Sequence, residues 1–213
     1  MPHRLFALKQ GDTFVVADAF GDIVGEGDGL FHEDTRVLSR FRLTLGGKPP
    51  SLLGAAVGQD NVLFTSNLTN RPLPPVGGRP MPEGVIHVER KRFLWDARLY
   101  ERLTLVNYAE IEATLSLNVG FAADFRDMFE VRGTRRRSRG RALEAQVTAE
   151  TVLLRYEGLD GVVRACCLAF SEAPSRLAED RADFLIELGA GFRREIYLEV
   201  WPDAAARPCR VRF

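Results

Sequence analysis

The sequence predicts an all-β protein, a large antiparallel β-sandwich, from three observations. Hydrophobic and polar residues alternate with a period of two, most clearly over residues 113–121, where every second side chain is apolar. Short glycine-containing turns separate such runs, as at residues 158–161. No window of helical length shows an i, i+3, i+4, i+7 apolar stripe between caps. Strands with one apolar face bury it by packing two sheets together.

Several runs in the N-terminal half predict individual strands. Residues 38–45 alternate and end at two glycines, and residues 61–68 predict the next strand. Residues 85–95 and 99–106 predict two long strands, whose many charges indicate that one face meets water or another domain. Five prolines and two glycines within residues 71–82 exclude a strand interior and a helix, so this segment is predicted to be a long loop.

Two hairpins are predicted in the C-terminal half. Residues 151–156 and 162–170 flank a turn with an Asp-Gly pair, which supplies the positive φ that tight turns need. Residues 183–188 and 192–200 flank a Gly-Ala-Gly stretch and predict the second hairpin. Together with the earlier strands, these hairpins extend the β pattern to the end of the chain.

The composition is that of a globular protein without an overall charge. The 213 residues carry 29 basic and 29 acidic side chains, so no net field attracts nucleic acid or an anionic membrane surface. Hydrophobic residues make up 46% of the chain, close to the average for a folded domain. We expect one domain over residues 1–213, because neither side of the proline-rich segment holds a complete core.

The cysteines and the first residues indicate a cellular compartment. Cys166 and Cys167 are adjacent on a predicted strand and point to opposite faces, so we expect neither a disulfide framework nor a shared metal. The first ten residues lack the apolar core and cleavage site of a signal peptide. No run approaches the roughly 18 apolar residues of a membrane span. These features predict a cytoplasmic protein that does not enter a membrane.

A glycine-rich stretch, residues 25–29, precedes a more specific motif. Its spacing is neither that of a dinucleotide fingerprint nor that of a Walker loop, so no nucleotide cofactor is expected. Gly29 then opens a strand in which Asp34 and Arg36 stand two apart on one face and can pair. We interpret Gly29, Asp34 and Arg36 as a structural motif, a salt-bridged turn. His32 lacks the further ligands of a metal site.

Five stretches in the first two thirds of the chain carry a family resemblance. They are residues 11–14 (GDTF), 18–22, 29–39 (GLFHEDTRVLS), 100–108 (YERLTLVNY) and 124–133 (DFRDMFEVRG). In this order and spacing they resemble the N-terminal domain of bacterial and archaeal glycogen debranching enzymes of the amylo-α-1,6-glucosidase type. Beyond residue 140 only the hairpin rhythm supports the resemblance.

The resemblance implies a large β-sandwich of the supersandwich kind that is not itself catalytic. In that family, the α-1,6-glucosidic branch is hydrolysed by a following (α/α) toroid that carries two acidic residues. Nothing in these 213 residues resembles the toroid, so we expect it downstream in a parent glycoside hydrolase. The sandwich is then expected to pack on the toroid and to help shape the site for branched α-glucan, with no cofactor or metal.

One cluster of charged residues could take part in these functions. It follows the strand at residues 113–121 and consists of Asp124, Arg126, Asp127, Glu130 and Arg132. Its composition predicts a loop at one end of the sandwich held by ion pairs, which favours docking onto the catalytic domain. Contact with bound glucan and catalysis remain alternatives, the last requiring two carboxyl groups roughly 6.5 to 9.5 Å apart in an inverting enzyme.

The densest run of positive charge lies next to this cluster. It comprises Arg132, Arg135, Arg136, Arg137, Arg139 and Arg141. Because the run contains no aromatic stacking partner, a solvated loop or an arm that meets an acidic partner surface is favoured over a nucleic-acid site.

Five aromatic residues offer flat rings on which a sugar could stack. They are Trp95, Tyr100, Tyr108, Tyr197 and Trp201. Most are expected in the core, since rings on alternating strands commonly face inward. A free-standing carbohydrate-binding or protein-docking module is the alternative function. A row of exposed rings would indicate the first, and a broad apolar patch the second.

Overall fold

The computed structural model describes residues 4–76, 79–210 and 213. Strands make up 56% of the chain and helix 2%, so the predicted all-β class is confirmed. The first nine strands are β1 (Phe6–Gln10), β2 (Thr13–Ala17), β3 (Gly29–His32), β4 (Thr35–Leu38), β5 (Arg40–Leu45), β6 (Ser51–Val57), β7 (Phe64–Thr69), β8 (Leu73–Val76) and β9 (Arg79–Met81). They are followed by β10 (Ile86–Trp95), β11 (Arg98–Asn107), β12 (Ala113–Ala122), the helix α1 (Met128–Val131), β13 (Arg141–Val147), β14 (Thr151–Glu157), β15 (Val163–Phe170), β16 (Arg176–Leu177), β17 (Arg181–Leu188) and β18 (Arg193–Trp201).

The strands form three antiparallel sheets and a small ribbon. The largest sheet has the order β13-β14-β15-β18-β11-β10-β7-β6, the second β16-β17-β12-β5, and the third β1-β2-β3-β4. In the third sheet, β1 lies near β10 and β4 near β15 of the largest sheet. Apolar side chains from all three sheets form one continuous core. The predicted large antiparallel sandwich is therefore confirmed.

Strand β12 agrees most closely with its predicted pattern. Its alternate residues from Ala113 to Phe121 are buried, and it pairs with β17 on one side and β5 on the other. β12 lies between two strands that also have apolar faces, so its own apolar face is buried together with theirs. The end of β12 therefore holds the segment that follows it, residues 123–131, in a fixed place.

One of the two predicted hairpins is confirmed and the other is wrong. β14 and β15 pair from Thr151 with Ala169 to Glu157 with Val163. β17 and β18, in contrast, lie in different sheets, because residues 189–191 cross from one sheet to the other. The Asn107 amide group holds this crossing by donating to Leu188 O at 2.9 Å. Glycine-rich composition marks a change of direction but not whether the next strand rejoins the same sheet.

The loop predicted at residues 71–82 is partly wrong. β8 and β9 lie within it and pair antiparallel, while residues 77 and 78 lie outside the described part of the chain. Prolines are compatible with such a ribbon, because each strand has an unpaired edge. Leu73 and Met81, which pair at its base, are both buried in the main core.

The charges of β10 and β11 divide between the two faces of the large sheet. Arg90, Arg92 and Glu101 point into the core and are each no more than 2% exposed. Arg90 Nε donates to Glu101 Oε1 at 2.8 Å, and Arg92 Nε donates to Glu101 Oε2 at 2.6 Å. Arg90 Nη1 also donates to Asp22 Oδ1 at 2.6 Å. Although burial acts in the opposite direction, the two guanidinium groups lower the pKa of Glu101.

Two further findings concern the cysteines and the helix. Cys166 lies in the core between the sheets, whereas Cys167 lies on the other face beside Trp201, so their predicted opposition is confirmed. These two thiols and that of Cys209 are free. In the described ranges, no helix is long and apolar enough to cross a membrane.

Candidate functional site

The segment after β12 lies at one end of the sandwich, beside the turn between β3 and β4. Arg36 N donates to Arg126 O at 2.8 Å, and Met128 N donates to Asp34 O at 3.0 Å. The turn between β14 and β15 also lies beside this segment, since residues 127 and 160 line the same cleft. We call residues 33–36, 124–140 and 156–164 the α1 end.

Helix α1 is short, and its start is fixed by a capping box. The Asp127 carboxylate accepts a hydrogen bond from Glu130 N at 2.8 Å, and the Glu130 carboxylate accepts one from Asp127 N at 3.2 Å. Such a reciprocal pair satisfies two amide groups that a helix start leaves free. Asp127 and Glu130 therefore shape the segment in addition to carrying charge.

Asp124 is paired with an arginine from the glycine motif. Arg36 donates from Nε and Nη2 to the two Asp124 oxygens at 3.1 and 2.5 Å. The predicted pairing of Asp34 with Arg36 is therefore wrong. Asp34 occupies the β3–β4 turn at φ +61°, and Arg36 extends away from it toward the segment after β12. A spacing of two residues places both on one face of a strand only while the strand continues, and here a turn intervenes.

Gly29 has a steric function in this arrangement. A Cβ atom at Gly29 would lie 2.5 Å from Arg36 Cδ and 3.0 Å from Leu38 O. Only glycine leaves space for the buried arginine side chain to pass along the strand. In the structure, Gly29 and Arg36 lie against each other, and Asp124 is the third member of this contact.

The remaining acidic residues of the cluster pair with the arginine-rich run. Arg136 Nη2 lies 2.5 Å from Asp127 Oδ2, and Arg139 Nε lies 3.1 Å from Glu130 Oε1. Arg126, the partner suggested by its position in the sequence, is half-exposed and lies 3.5 Å from Asp124. The run therefore neutralises the acidic cluster of its own chain, a signal that was present in the sequence as two adjacent blocks of opposite charge.

Arg132 occupies the C-cap of α1 and is exposed. No carboxylate within the described ranges pairs with its guanidinium group, nor with those of Arg135 and Arg137. Three cations thus remain at the surface of the α1 end, around a helix whose own acidic residues are already paired.

Phe125 carries backbone strain at the centre of the site. Its φ of +51° lies in the left-handed region, which is rare for a bulky residue and costs on the order of 1 to 3 kcal/mol. The ring is buried and stacks on Tyr156 at a centroid distance of 5.6 Å. Tyr156 Oη accepts a hydrogen bond from Gly140 N at 2.6 Å. Burial of the ring and the Arg36 contact of Asp124 together maintain this conformation.

The α1 end also presents apolar surface to solvent. Phe129 on the helix is 64% exposed, and Leu159 at the β14–β15 turn is 72% exposed. Between the two elements lies an open cleft of about 320 Å³, which Leu159 and Glu130 line. Sequence reasoning missed both residues, because single apolar positions in a turn and in a four-residue helix form no periodic pattern.

The electrostatics favour binding over proton transfer. Burial acts in the opposite direction, but the Glu130 amide and Arg136 lower the pKa of Asp127. The hydrogen bonds from Arg164 lower the pKa of Asp160, at the cleft rim, to about 2. A general acid in glycoside hydrolysis needs a raised pKa. The carboxylates of Asp127 and Asp160 are instead held in the ionised state, as docking by charge would require.

A family model described as the N-terminal domain of some glycogen debranching enzymes matches residues 8–199. The chain belongs to this family. The match continues well beyond residue 140, where the sequence showed only hairpins. No curated protein matches the chain.

Two solved structures share the fold of this N-terminal domain. One, assigned as a kojibiose phosphorylase from the human microbiome, is 10% identical with a TM-score of 0.54, and the match covers 83% of this chain and 23% of that chain. The other, assigned as an aldose 1-epimerase from Escherichia coli K12, is 10% identical with a TM-score of 0.53, and the match covers 94% and 99%. The domain thus spans about a quarter of the phosphorylase-assigned chain.

The aromatic residues of the debranching-enzyme N-terminal domain do not form a row. Tyr100 and Trp201 are buried and Tyr197 is partly buried, whereas Trp95 and Tyr108 are exposed. The last two lie near opposite ends of the paired strands β10 and β11. At about 3.3 Å per residue, strands of ten residues separate them by roughly 30 Å, which is too far for one stacking platform.

Proposed function

We propose that this chain is the non-catalytic N-terminal domain of a glycogen-debranching α-1,6-glucosidase. Its α1 end packs on the catalytic (α/α) toroid of the same polypeptide and helps to shape the site that receives branched α-glucan. The observation that carries the proposal is the family match over residues 8–199. The enzyme works in the cytoplasm, where the three free thiols are at no risk of oxidation to disulfides.

The chemistry of the α1 end supports its assignment as the docking surface. An interface needs apolar anchors surrounded by polar groups, and Phe129 and Leu159 provide two exposed anchors. Arg132 supplies a cation that is not engaged at the surface of the described chain. The strained Phe125 backbone is a further indication, because such strain concentrates at functional sites.

The test uses the full-length parent enzyme with Phe129→Ser. Loss of an interface anchor is expected to lower the rate of glucose release from α-1,6 branch points about tenfold. In calorimetry, the variant should show two separate unfolding transitions where the native enzyme shows one. Phe192→Ser is the matched control, because Phe192 is also exposed, at 70%, but lies at the other end of β12. It follows Leu188 of β17, which pairs with Ala113 at the start of β12, whereas α1 follows the end of β12.

Two results would contradict the proposal. One is a parent protein that does not hydrolyse α-1,6 branches. The other is a Phe129→Ser enzyme whose activity and unfolding match those of Phe192→Ser.

A free-standing carbohydrate-binding or protein-docking module is the second candidate. It is favoured by the match to the epimerase-assigned chain, which the shared fold covers to 99% of its length. A sandwich of this architecture can therefore stand as a complete chain. Saturable binding of a glucan by a native gene product of about this size, without hydrolysis, would support this candidate over the first.

A further inference from the structure

A large cleft lies beside β5, away from the proposed docking surface. Its volume is about 610 Å³, within the range of about 300 to 1,000 Å³ that is typical of small-molecule sites. Its apolar surface comes from Leu5, Phe20 and Pro49. Its polar groups include Asp18, Glu26 and Arg42.

One wall of the cleft is held in place by hydrogen bonds within the chain. Asp18 Oδ1 accepts from Phe20 N at 2.9 Å and from Asp22 N at 2.8 Å. Arg36 Nη1 donates to Glu26 O at 3.1 Å, so the backbone of the glycine-rich stretch is fixed from behind. The wall is thus formed before any ligand arrives, which reduces the entropy lost on binding.

Two side chains of the cleft have polar groups to offer. Within the described ranges, the Glu26 carboxylate accepts no hydrogen bond from the protein. Arg42 Nε is buried, has no hydrogen-bond partner among the described residues, and lies 4.0 Å from Asp22 Oδ2. The Arg42 side chain as a whole is 43% exposed, so the Nη groups of its guanidinium can donate to a ligand oxygen.

The charges select a neutral ligand. Asp18, Asp22, Glu26 and Asp28 line the cleft and repel an anion. Asp22 is already paired with Arg90, and Asp28 accepts from the Val24 and Gly25 amides, so the opposite charges of Glu26 and Arg42 are left to meet a ligand. A ligand rich in hydroxyl groups fits both, because each hydroxyl can donate to a carboxylate and accept from a guanidinium group. Apolar contacts with Phe20 and Pro49 suit the carbon face of a sugar ring.

We propose that this cleft binds a short neutral oligosaccharide, with Glu26 accepting from and Arg42 donating to its hydroxyl groups. The need for a neutral polyhydroxyl ligand follows from the cleft alone. The choice of an α-linked glucan as the probe rests on the proposed function.

The experiment titrates the native protein with maltoheptaose in a calorimeter. We expect saturable binding that Glu26→Gln and Arg42→Gln each weaken about tenfold, as expected for the loss of a charged hydrogen-bond partner. Two matched controls should leave the affinity unchanged. Arg40→Gln alters the exposed neighbour of Arg42 on the same face of β5, and Glu187→Gln alters an exposed acidic residue of β17.

Three results would overturn the proposal: no binding of maltoheptaose, binding unaffected by both cleft variants, or tighter binding of an oligogalacturonate of the same length. The readout is independent of the docking test. If Phe129→Ser leaves activity unchanged while Glu26→Gln weakens maltoheptaose binding, the docking proposal fails and the cleft stands. If instead Phe129→Ser lowers activity while Glu26→Gln leaves maltoheptaose binding unchanged, the cleft proposal fails and the docking proposal stands.

Discussion

Arg36 and Asp124 are 88 positions apart in the sequence, and the guanidinium group of Arg36 binds both carboxylate oxygens of Asp124. The third nitrogen of the same group, Nη1, donates to the carbonyl oxygens of Gly25, Glu26 and Asp28 at 3.1 to 3.3 Å. One buried side chain therefore joins the glycine-rich stretch, strand β4 and the segment that leads to α1. The proposed docking surface and the proposed sugar cleft are both built on this arginine.

Removal of this arginine should strongly destabilise the protein. In Arg36→Gln, Asp124 loses a bidentate partner and three carbonyl groups lose their donor. We expect the free energy of unfolding in urea to fall by about 3 to 5 kcal/mol, as for other buried pairs that lose one member.

A double-mutant cycle of Arg36→Gln with Asp124→Asn separates the energy of the Arg36–Asp124 pair from that of the other Arg36 contacts. The coupling energy should be about 1 kcal/mol or more, because the two groups touch. Arg126→Gln is the control, since Arg126 is half-exposed and should change stability by less than about 0.5 kcal/mol. A coupling energy near zero would show that the carbonyl contacts, and not Asp124, hold Arg36.

Gly29→Ala tests the steric part of the same unit. The added Cβ would approach Arg36 Cδ to 2.5 Å, so the arginine side chain or the backbone must move. We expect a loss of about 1 to 3 kcal/mol in the free energy of unfolding, measured by urea denaturation. Gly27→Ala, where a Cβ would meet nothing within 4 Å, should cost less than about 1 kcal/mol. Equal losses for the two variants would contradict the close approach of Gly29 and Arg36.

Much of the fold could be predicted from period-two alternation. β12 and the β14–β15 hairpin follow directly from the sequence, since a buried face and a tight turn each leave a local signal. The crossing at residues 189–191 leaves no such signal, because which sheet a strand joins depends on partners distant in the chain. The hydrogen bond from Asn107 that fixes this crossing spans 81 positions.

Buried charge was the main feature that sequence reasoning did not anticipate. The period of two places Arg90 and Arg92 on the face of β10 that also carries Ile86 and Val88, although charged residues are normally found in water. Burial of the two arginines is tolerated because Glu101, which lies opposite Arg92 on the neighbouring strand, accepts hydrogen bonds from both guanidinium groups. A single sequence does not show that register.

For the candidate site, the sequence located the acidic cluster but only one of its arginine partners, Arg126. Asp124, Asp127 and Glu130 each pair with an arginine, as expected for a loop held by ion pairs, but the arginines are Arg36, Arg136 and Arg139. Of the two arginines inside the cluster, Arg126 also lies 3.5 Å from Asp124, whereas no carboxylate of the described residues pairs with Arg132. Ion pairs across a folded loop depend on where the chain returns, which only the tertiary structure determines.

Acid stability should depend on Asp160 at the rim of the α1 end. Arg164 donates to its carboxylate at 2.9 and 3.2 Å and holds its pKa at about 2, below the ordinary 3.8. A lowered carboxyl pKa contributes stability above about pH 3.8 that is lost as the pH falls toward 2. In Arg164→Gln, the Asp160 pKa measured by NMR should rise toward 3.8, and this contribution should disappear. Arg176→Gln, at an exposed position on β16, should leave the pKa unchanged. An Asp160 pKa that stays near 2 in Arg164→Gln would show that the Val162 amide, 3.1 Å away, suffices.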